Sequence, residues 1–181
     1  MTSAYLRGQE LVDAIQSSSY SRDLIGYHGQ VPHALWPNQA KIAVQFGLNY
    51  EEGGENHVEH GDLGSEQFLS EIVGTASFNA KHMSMDSMYE YGSRAGFWRI
   101  HQEFQKRGLP MTIFGVGMAL ARNPYVVEAI QQAHYDVVSH GQRWLHYQHI
   151  DIDTERQHMD QAISVLEALF GKTPIGWYTG R

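Results

Sequence analysis

The stretch IAVQFGLNYEEGGEN, residues 42–56, indicates the fold class of this chain. Its first part, Ile42 to Leu48, predicts a buried β-strand because apolar residues dominate it and Ile, Val and Phe are common in strands. The residues that follow are polar and rich in glycine, which predicts a loop. An apolar strand that runs directly into a polar loop is typical of α/β enzymes, which keep catalytic groups at the ends of their strands.

Two adjacent carboxylates, Glu51 and Glu52, stand where this strand ends. Neighbouring carboxylates repel each other, so the pKa of one can rise into the range that suits a general acid or base. A solvated acidic turn would explain the same two residues without any function. The remaining strand ends are therefore needed to choose between the two interpretations.

The alternation of strand and helix continues along the chain. Further strands are predicted at 111–116, 135–140 and 174–178, and helices at 66–73, 95–106, 123–133 and 153–170. Alternating strands and helices pair in parallel through right-handed crossovers. The predicted fold class is α/β: a partial (β/α) barrel of about four βα units with an N-terminal helical extension.

We expect two parts in the chain: residues 1–19 as the N-terminal extension, and residues 20–181 as a barrel domain whose C-terminal part is missing. A full barrel of this kind takes about 250 residues. The last predicted strand would then be an unpaired edge, which favours pairing with a second chain. The sequence therefore predicts a homo-oligomer or a truncated barrel.

Composition argues against several classes of protein. The chain has 20 acidic and 13 basic residues and a net charge of −7, and its basic residues do not cluster, which disfavours binding to nucleic acid. No apolar run approaches the roughly 20 residues that span a membrane, and the N-terminus lacks the apolar core of a secretory signal. Cysteine is absent, which rules out thiolate chemistry and is compatible with the cytoplasm.

Two later strand ends also carry polar side chains. Residues 139–144, which contain His140 and Trp144, follow the third strand, and residues 178–181, which contain Tyr178 and Arg181, follow the fourth. A histidine at a strand end can bind metal, transfer a proton or polarise a carbonyl, and it can equally be a structural residue. Since Glu51 and Glu52 belong to the same predicted sheet, the functional interpretation of His140 gains support.

Several other side chains are candidates for binding a substrate. Glu90 and Arg94 are spaced as a helical surface pair or as an anchored pair in the site. Trp144 and Tyr178 either fill the core or line a pocket. Two further pairs of histidines, at 57 and 60 and at 146 and 149, could hold a metal but lack an acidic ligand fixed nearby, which favours solvated loop histidines.

Three features of this chain resemble the polysaccharide deacetylase superfamily: the strand-end carboxylates, a Ser-His-Gly run and a Pro-x-x-Trp-Tyr-x-x-Arg run. The closer similarity is to its branch of cofactor-independent allantoinases, also called urate catabolism proteins, and it covers about residue 20 onwards. It is carried by residues 22–27, 43–56, 82–99, 114–116, 119–124 and 176–181. The resemblance implies a distorted (β/α) barrel that hydrolyses C–N bonds other than peptide bonds.

The sugar deacetylases of this superfamily are metalloenzymes with two strand-end aspartates and two histidines four residues apart. Here the carboxylates are Glu51 and Glu52, the first histidine is His140, and the second position holds Trp144, which cannot ligate a metal. The expected cofactor is therefore none. A Zn²⁺ ion held by Glu52 and His140 is the weaker alternative.

The resemblance implies hydrolytic opening of allantoin to allantoate in purine catabolism, with a small molecule as the partner. Glu51 or Glu52 would activate water, and His140 would polarise the carbonyl or protonate the leaving nitrogen. An arginine or backbone donors would stabilise the oxyanion. The residues expected to contact substrate are Asn49, Tyr50, Glu90, Arg94, Trp144, Tyr178 and Arg181. A metal-dependent sugar deacetylase and an inactive fragment are the two alternatives.

Overall fold

The computed structural model describes residues 5–68, 74 and 79–181 and divides the chain into two compact units, Met1–Ala43 and Val44–Arg181. The first unit contains helix α1 (Gly8–Ser17), which confirms the predicted N-terminal helix. All of its described residues are exposed, including the apolar Leu11 and Ile15. The first compact unit ends at Ala43. The predicted domain boundary after residue 19 stays a prediction.

The second unit is built on a parallel sheet of three strands among the described residues. The strands are β1 (Gly47–Tyr50), β2 (Thr112–Gly115) and β3 (Asp136–Ser139), in the order β1-β2-β3. Gly47 lies opposite Thr112, which lies opposite Asp136, so all three strands end at the same level. This arrangement confirms the predicted α/β class and brings the strand ends together on one edge of the sheet.

The first strand begins later than the sequence predicts. It starts at Gly47 and not at Ile42, and Ile42 and Val44 are exposed. The register supplies the reason, because the bond from the Thr112 N–H to the Phe46 carbonyl lies at the start of the β1–β2 ladder. Two residues before Thr112, Pro110 has no N–H and cannot extend the ladder of hydrogen bonds.

Helices connect and flank these strands. They are α2 (Met83–Tyr91), α3 (Phe97–Arg107), α4 (Gly117–Ala121), α5 (Pro124–Gln132) and α6 (Ile152–Phe170). A π-helical segment, Gly92–Gly96, joins α2 to α3. Asn123 caps α5 by accepting a hydrogen bond from the Val126 N–H, as the Asn-Pro sequence predicts.

Four other details differ from the sequence predictions. The predicted strand at 174–178 is reduced to one parallel bridge between Ser139 and Trp177. Helix α6 buries Ala162 and Leu166, whereas Met159, which its helical spacing with Ile163, Leu166 and Phe170 predicts on the inward face, is exposed. Helices α2 and α4 were not predicted. Most of the helix expected at 66–73 falls outside the described residues, and its described part, 66–68, is not helical.

The core lies between the sheet and its helices. Its buried side chains include Ile113 from β2, Leu120 from α4, Ile130 from α5 and Leu166 from α6. This packing fixes the strand ends and hence the loops that follow them. Within the described part of the chain, no helix is both long enough and apolar enough to cross a membrane.

Candidate active site

The centre of the site is a contact between the ends of β1 and β3. His140, the residue after β3, places its Nε2 atom 2.7 Å from Oε1 of Glu51, the residue after β1. The imidazole is almost wholly buried, whereas the Glu51 side chain keeps about a quarter of its surface exposed. The structure therefore brings together two of the predicted catalytic residues across the width of the sheet.

A backbone carbonyl fixes the orientation of the imidazole. Nδ1 of His140 lies 2.6 Å from the carbonyl oxygen of Tyr178, which can only accept, so Nδ1 carries a proton and donates it. In a neutral ring Nε2 would then be an acceptor, as is a carboxylate oxygen. The contact with Glu51 therefore contains one further proton, on Nε2 or on Oε1, and this proton can move between the two groups.

Glu52 lies in a different environment from its neighbour. One carboxylate oxygen accepts a hydrogen bond from the Glu51 N–H at 3.2 Å, and the other lies against Gly92, where an added Cβ would be only 2.1 Å away. Burial raises the pKa of the Glu52 carboxyl, against backbone N–H groups that lower it, and the charges of Glu51 and Glu55 raise it further. The expected rise in pKa is therefore present, but burial is a larger cause than carboxylate repulsion.

Asn49 and Tyr50, the last residues of β1, have separate roles. Asn49 donates from Nδ2 to Oε1 of Glu51 at 3.2 Å, which supports the pair with His140. Tyr50 belongs to the core, where its hydroxyl accepts a hydrogen bond from Asn123 and burial raises its pKa to about 12. Of the two residues, Asn49 is thus the one in contact with the catalytic groups.

A pocket of about 240 Å³ opens beside the two carboxylates. Its walls are Glu51, Glu52, Met88, Tyr89 and Trp144, so acidic groups face aromatic and apolar surface. Trp144 is 6% exposed, and its Nε1–H has no hydrogen-bond partner among the described residues. Trp144 therefore lines the pocket, as one of the two sequence interpretations predicts.

Arg181 lies over the ring of Trp144. Its guanidinium stands 4.3 Å from the ring centre of Trp144 and 5.1 Å from that of Phe68, and it donates to both carboxylate oxygens of Glu66 at 2.8 and 3.4 Å. Because Glu66 holds the guanidinium, Arg181 is not placed as a free donor for an oxyanion. Direct contact of Arg181 with a substrate stays a prediction.

Of the remaining expected contact residues, Tyr178 lies against His140, whereas Glu90 and Arg94 pair with each other on the surface. The ring of Tyr178 stacks on His140 with 7° between the planes. Glu90 and Arg94 form an exposed pair at 2.9 Å on neighbouring helical turns, which favours the surface interpretation. Glu90 does line a second, polar cavity of about 330 Å³ together with Glu52. Substrate contact by Glu90 or Arg94 stays a prediction.

Sequence reasoning missed the polar residues of the connection after β1. Asp62 pairs with Arg143 from the loop after β3, and that guanidinium also donates to the Glu55 carbonyl at 2.9 Å. His57, predicted from the sequence as a solvated loop histidine, is instead buried and places Nε2 3.2 Å from Oδ1 of Asp86 of α2. The signal available was the length of this connection, since long loops without regular structure are often functional. The pairing of its individual residues carries no local signal.

The donor set does not fit a catalytic zinc ion. Such a site needs three protein ligands, and no group of three or more His, Asp or Glu side chains is arranged to hold a metal in the described part of the chain. Both nitrogens of His140 are engaged, and Trp144, four residues further on, offers only an N–H donor. No step of the proposed reaction is therefore assigned to a metal.

Comparison with known proteins identifies the family. A sequence profile described as polysaccharide deacetylase matches residues 79–179. The chain belongs to the polysaccharide deacetylase family. A relative from Schizosaccharomyces pombe, named "Putative polysaccharide deacetylase", is 41% identical over 166 residues, which are 89% of this chain and 52% of the relative.

Two crystal structures are closely similar to the chain. PuuE allantoinase shares 51% of aligned residues at a TM-score of 0.82, over 89% of this chain and 54% of its own. A protein from Pseudomonas aeruginosa PAO1, named as a probable polysaccharide deacetylase, shares 52% at a TM-score of 0.82, over 88% and 53%. The chain thus spans about half the length of the relatives it matches, and the similarities confirm the predicted family and fold.

Proposed function

We propose that the protein hydrolyses the hydantoin ring of allantoin to give allantoate, without a metal ion. The observation that carries the proposal is the 2.7 Å contact between His140 and Glu51. The resemblance to the sugar deacetylases adds that Trp144 stands where those enzymes have their second histidine. The allantoinase neighbour, 51% identical, supports the substrate. The pocket of about 240 Å³ with aromatic walls suits a small, flat ring.

The carboxylate of Glu51 acts as the general base. Its second oxygen takes a proton from water while the water oxygen attacks the ring carbonyl carbon, and Asn49 and His140 hold the first oxygen in place. The imidazolium form of His140 balances negative charge that develops in the pocket. This assignment gives the pair the role of activating water.

Glu52 supplies the proton that the leaving nitrogen needs. Because burial raises its pKa, a larger fraction of Glu52 is protonated near neutral pH than of an ordinary glutamate. When the ring C–N bond breaks, the nitrogen takes the proton of Glu52. The proton that Glu51 took from water then passes to Glu52, which returns both carboxyl groups to their starting states. Two adjacent carboxyls thereby take the base role and the acid role because their environments differ.

The test is turnover of allantoin by protein treated with a strong chelator. We expect hydrolysis to persist after chelation and to gain nothing from added Zn²⁺. The assay measures allantoate directly. Protein carrying Trp144→His is assayed in parallel as a control in which a second imidazole is available to a metal ion. Loss of turnover on chelation and its recovery with Zn²⁺ in the unmodified protein would exclude the metal-independent reaction.

A second candidate is removal of acetyl groups from an amino sugar polymer. The family profile and the names of two relatives favour it, whereas the donor set around His140 does not fit the metal that such enzymes use. Release of acetate from an N-acetylated oligosaccharide, measured beside allantoate formation, separates the two reactions. A homo-oligomer and a cytoplasmic location remain predictions, the first of which sedimentation would test.

A further inference from the structure

We infer that Glu66 is a positioning residue, which holds Arg181 against Trp144 and so fixes one wall of the reaction pocket. This inference rests on the proposed function for the identity of the ring that the pocket takes. The structural part of it concerns only Glu66, Arg181 and Trp144, which we call the latch. Glu66 itself does not line the pocket of about 240 Å³.

Glu66 is a buried charge with a full set of partners. It is 7% exposed, and its two carboxylate oxygens accept from the backbone N–H groups of Gln67 and Phe68 at 2.9 Å and from Nδ2 of Asn56 at 3.0 Å. The guanidinium of Arg181 completes the set. These donors lower the pKa of Glu66 although burial raises it, so the carboxylate is held charged.

Arg181 transmits this fixed charge to the aromatic wall. A guanidinium that donates to both oxygens of a carboxylate cannot rotate freely, so Glu66 fixes the orientation of the Arg181 guanidinium. The guanidinium carbon lies over the ring of Trp144, 4.3 Å from the ring centre, and Trp144 lines the same pocket as Glu51 and Glu52. The stacked cation also adds a cation–π attraction to the indole.

The backbone next to Arg181 adds a second constraint. A Cβ added to Gly180 would lie 2.5 Å from Cδ1 of Trp144 and 3.5 Å from Nε2 of His140. The segment that carries Arg181 thus touches both the aromatic wall and the catalytic imidazole. Holding Arg181 in place therefore holds Trp144 beside the His140–Glu51 pair.

The experiment compares Glu66→Gln with the control Glu103→Gln, which breaks exposed pairs with Lys106 and Arg107 on α3. The emission of Trp144 is isolated as the difference between each protein and the same protein carrying Trp144→Phe. In Glu66→Gln we expect this emission to shift to the red and to become accessible to acrylamide. We also expect KM for allantoin to rise roughly tenfold, with kcat changed less than about threefold. Glu103→Gln should change neither signal.

An unchanged Trp144 emission and an unchanged KM in Glu66→Gln would overturn the inference, as would equal effects in the control. If Glu66→Gln does not fold, Arg181→Lys keeps the charge and removes the two-pronged geometry, and an unchanged Trp144 signal in that variant would likewise overturn it. The emission needs no substrate. If the parent protein does not turn over allantoin, the proposed function fails while the emission still decides the latch.

Discussion

Acidic side chains pair with basic ones both near the strand ends and on the helices, but the pairs differ in span and burial. At the strand ends, Glu51 pairs with His140 and Glu66 with Arg181, which join residues 89 and 115 positions apart. On the helices, Glu90–Arg94 and Glu103–Arg107 join residues four apart and are exposed. Exposed pairs contribute little to stability, so we expect substitutions in the pairs that the fold brings together to have the larger effects.

The largest effect should come from Glu51→Gln. An amide cannot take a proton from water, and loss of a general base typically lowers turnover by about 10² to 10⁴-fold. Steady-state kinetics with allantoin measures the effect, and binding of hydantoin should change little. Turnover close to that of the parent protein would remove Glu51 from the role of base and weaken the contrast between the two regions.

A smaller effect is expected from Gly92→Ala, for which Gly96→Ala is the matched control in the same π-helical segment. A Cβ at Gly92 would lie 2.1 Å from the Glu52 carboxylate, whereas one at Gly96 meets its nearest atom at 3.7 Å. The end of the Glu52 side chain can move away at little cost and Ala favours a helix over Gly, so the unfolding free energy should change by less than about 1 kcal/mol in both variants. Displacement of Glu52 should lower turnover in Gly92→Ala only, and steady-state kinetics on the two variants measures this difference. Equal behaviour would place Glu52 elsewhere.

Asp62→Asn should cost about 1.5 kcal/mol of unfolding free energy at neutral pH, because Asp62 holds the Arg143 guanidinium. The pKa of Asp62 is lowered: burial raises it, but the hydrogen bonds from Arg143 and from the His57 backbone outweigh burial. The charged Asp62 therefore stabilises the folded protein fully above pH 3.8, the ordinary pKa of the group. This contribution is lost as the pH falls through the lower pKa that Asp62 has in the folded protein. In chemical denaturation between pH 7 and pH 3, the difference in unfolding free energy between Asp62→Asn and the parent protein should therefore become smaller as the pH falls. A difference that does not depend on pH would contradict the assignment.

The smallest effect is expected from Glu90→Gln, which removes an exposed helical pair with Arg94. The unfolding free energy should change by less than about 0.5 kcal/mol, and high salt should abolish the change. Kinetics on the same variant sharpen the comparison. A clear rise in KM would bring Glu90 into the site, as the sequence predicts, through the cavity that it lines with Glu52.

Local patterns sufficed for the three paired strands and for helices α3, α5 and α6. Apolar runs gave the three paired strands, and the Asn123-Pro124 sequence gave the start of α5. The true start of β1 depends on where β2 can donate hydrogen bonds, which no pattern within residues 42–48 reveals. Helix α2 was missed because it buries one residue, Met85, and so has little apolar periodicity.

The candidate site was predictable only in part. Strand ends of a parallel sheet meet at one edge, which is enough to bring Glu51 and His140 together from sequence. The environment that separates Glu52 from Glu51 depends on the close approach of Gly92, and the role of Glu66 depends on a loop that folds across to Arg181. Such contacts join distant segments through side-chain geometry, and they leave no local trace.

The bond from Nδ1 of His140 to the carbonyl of Tyr178 has a consequence for variation among related sequences. Every amino acid supplies the same main-chain oxygen, so residue 178 can change without altering which nitrogen of the imidazole holds the fixed hydrogen. What must be preserved is the course of the polypeptide there, which the Ser139–Trp177 bridge and the bond from the Tyr178 N–H to the Ser139 carbonyl secure. This hydrogen bond therefore constrains the path of the backbone at residue 178 and not the identity of its side chain.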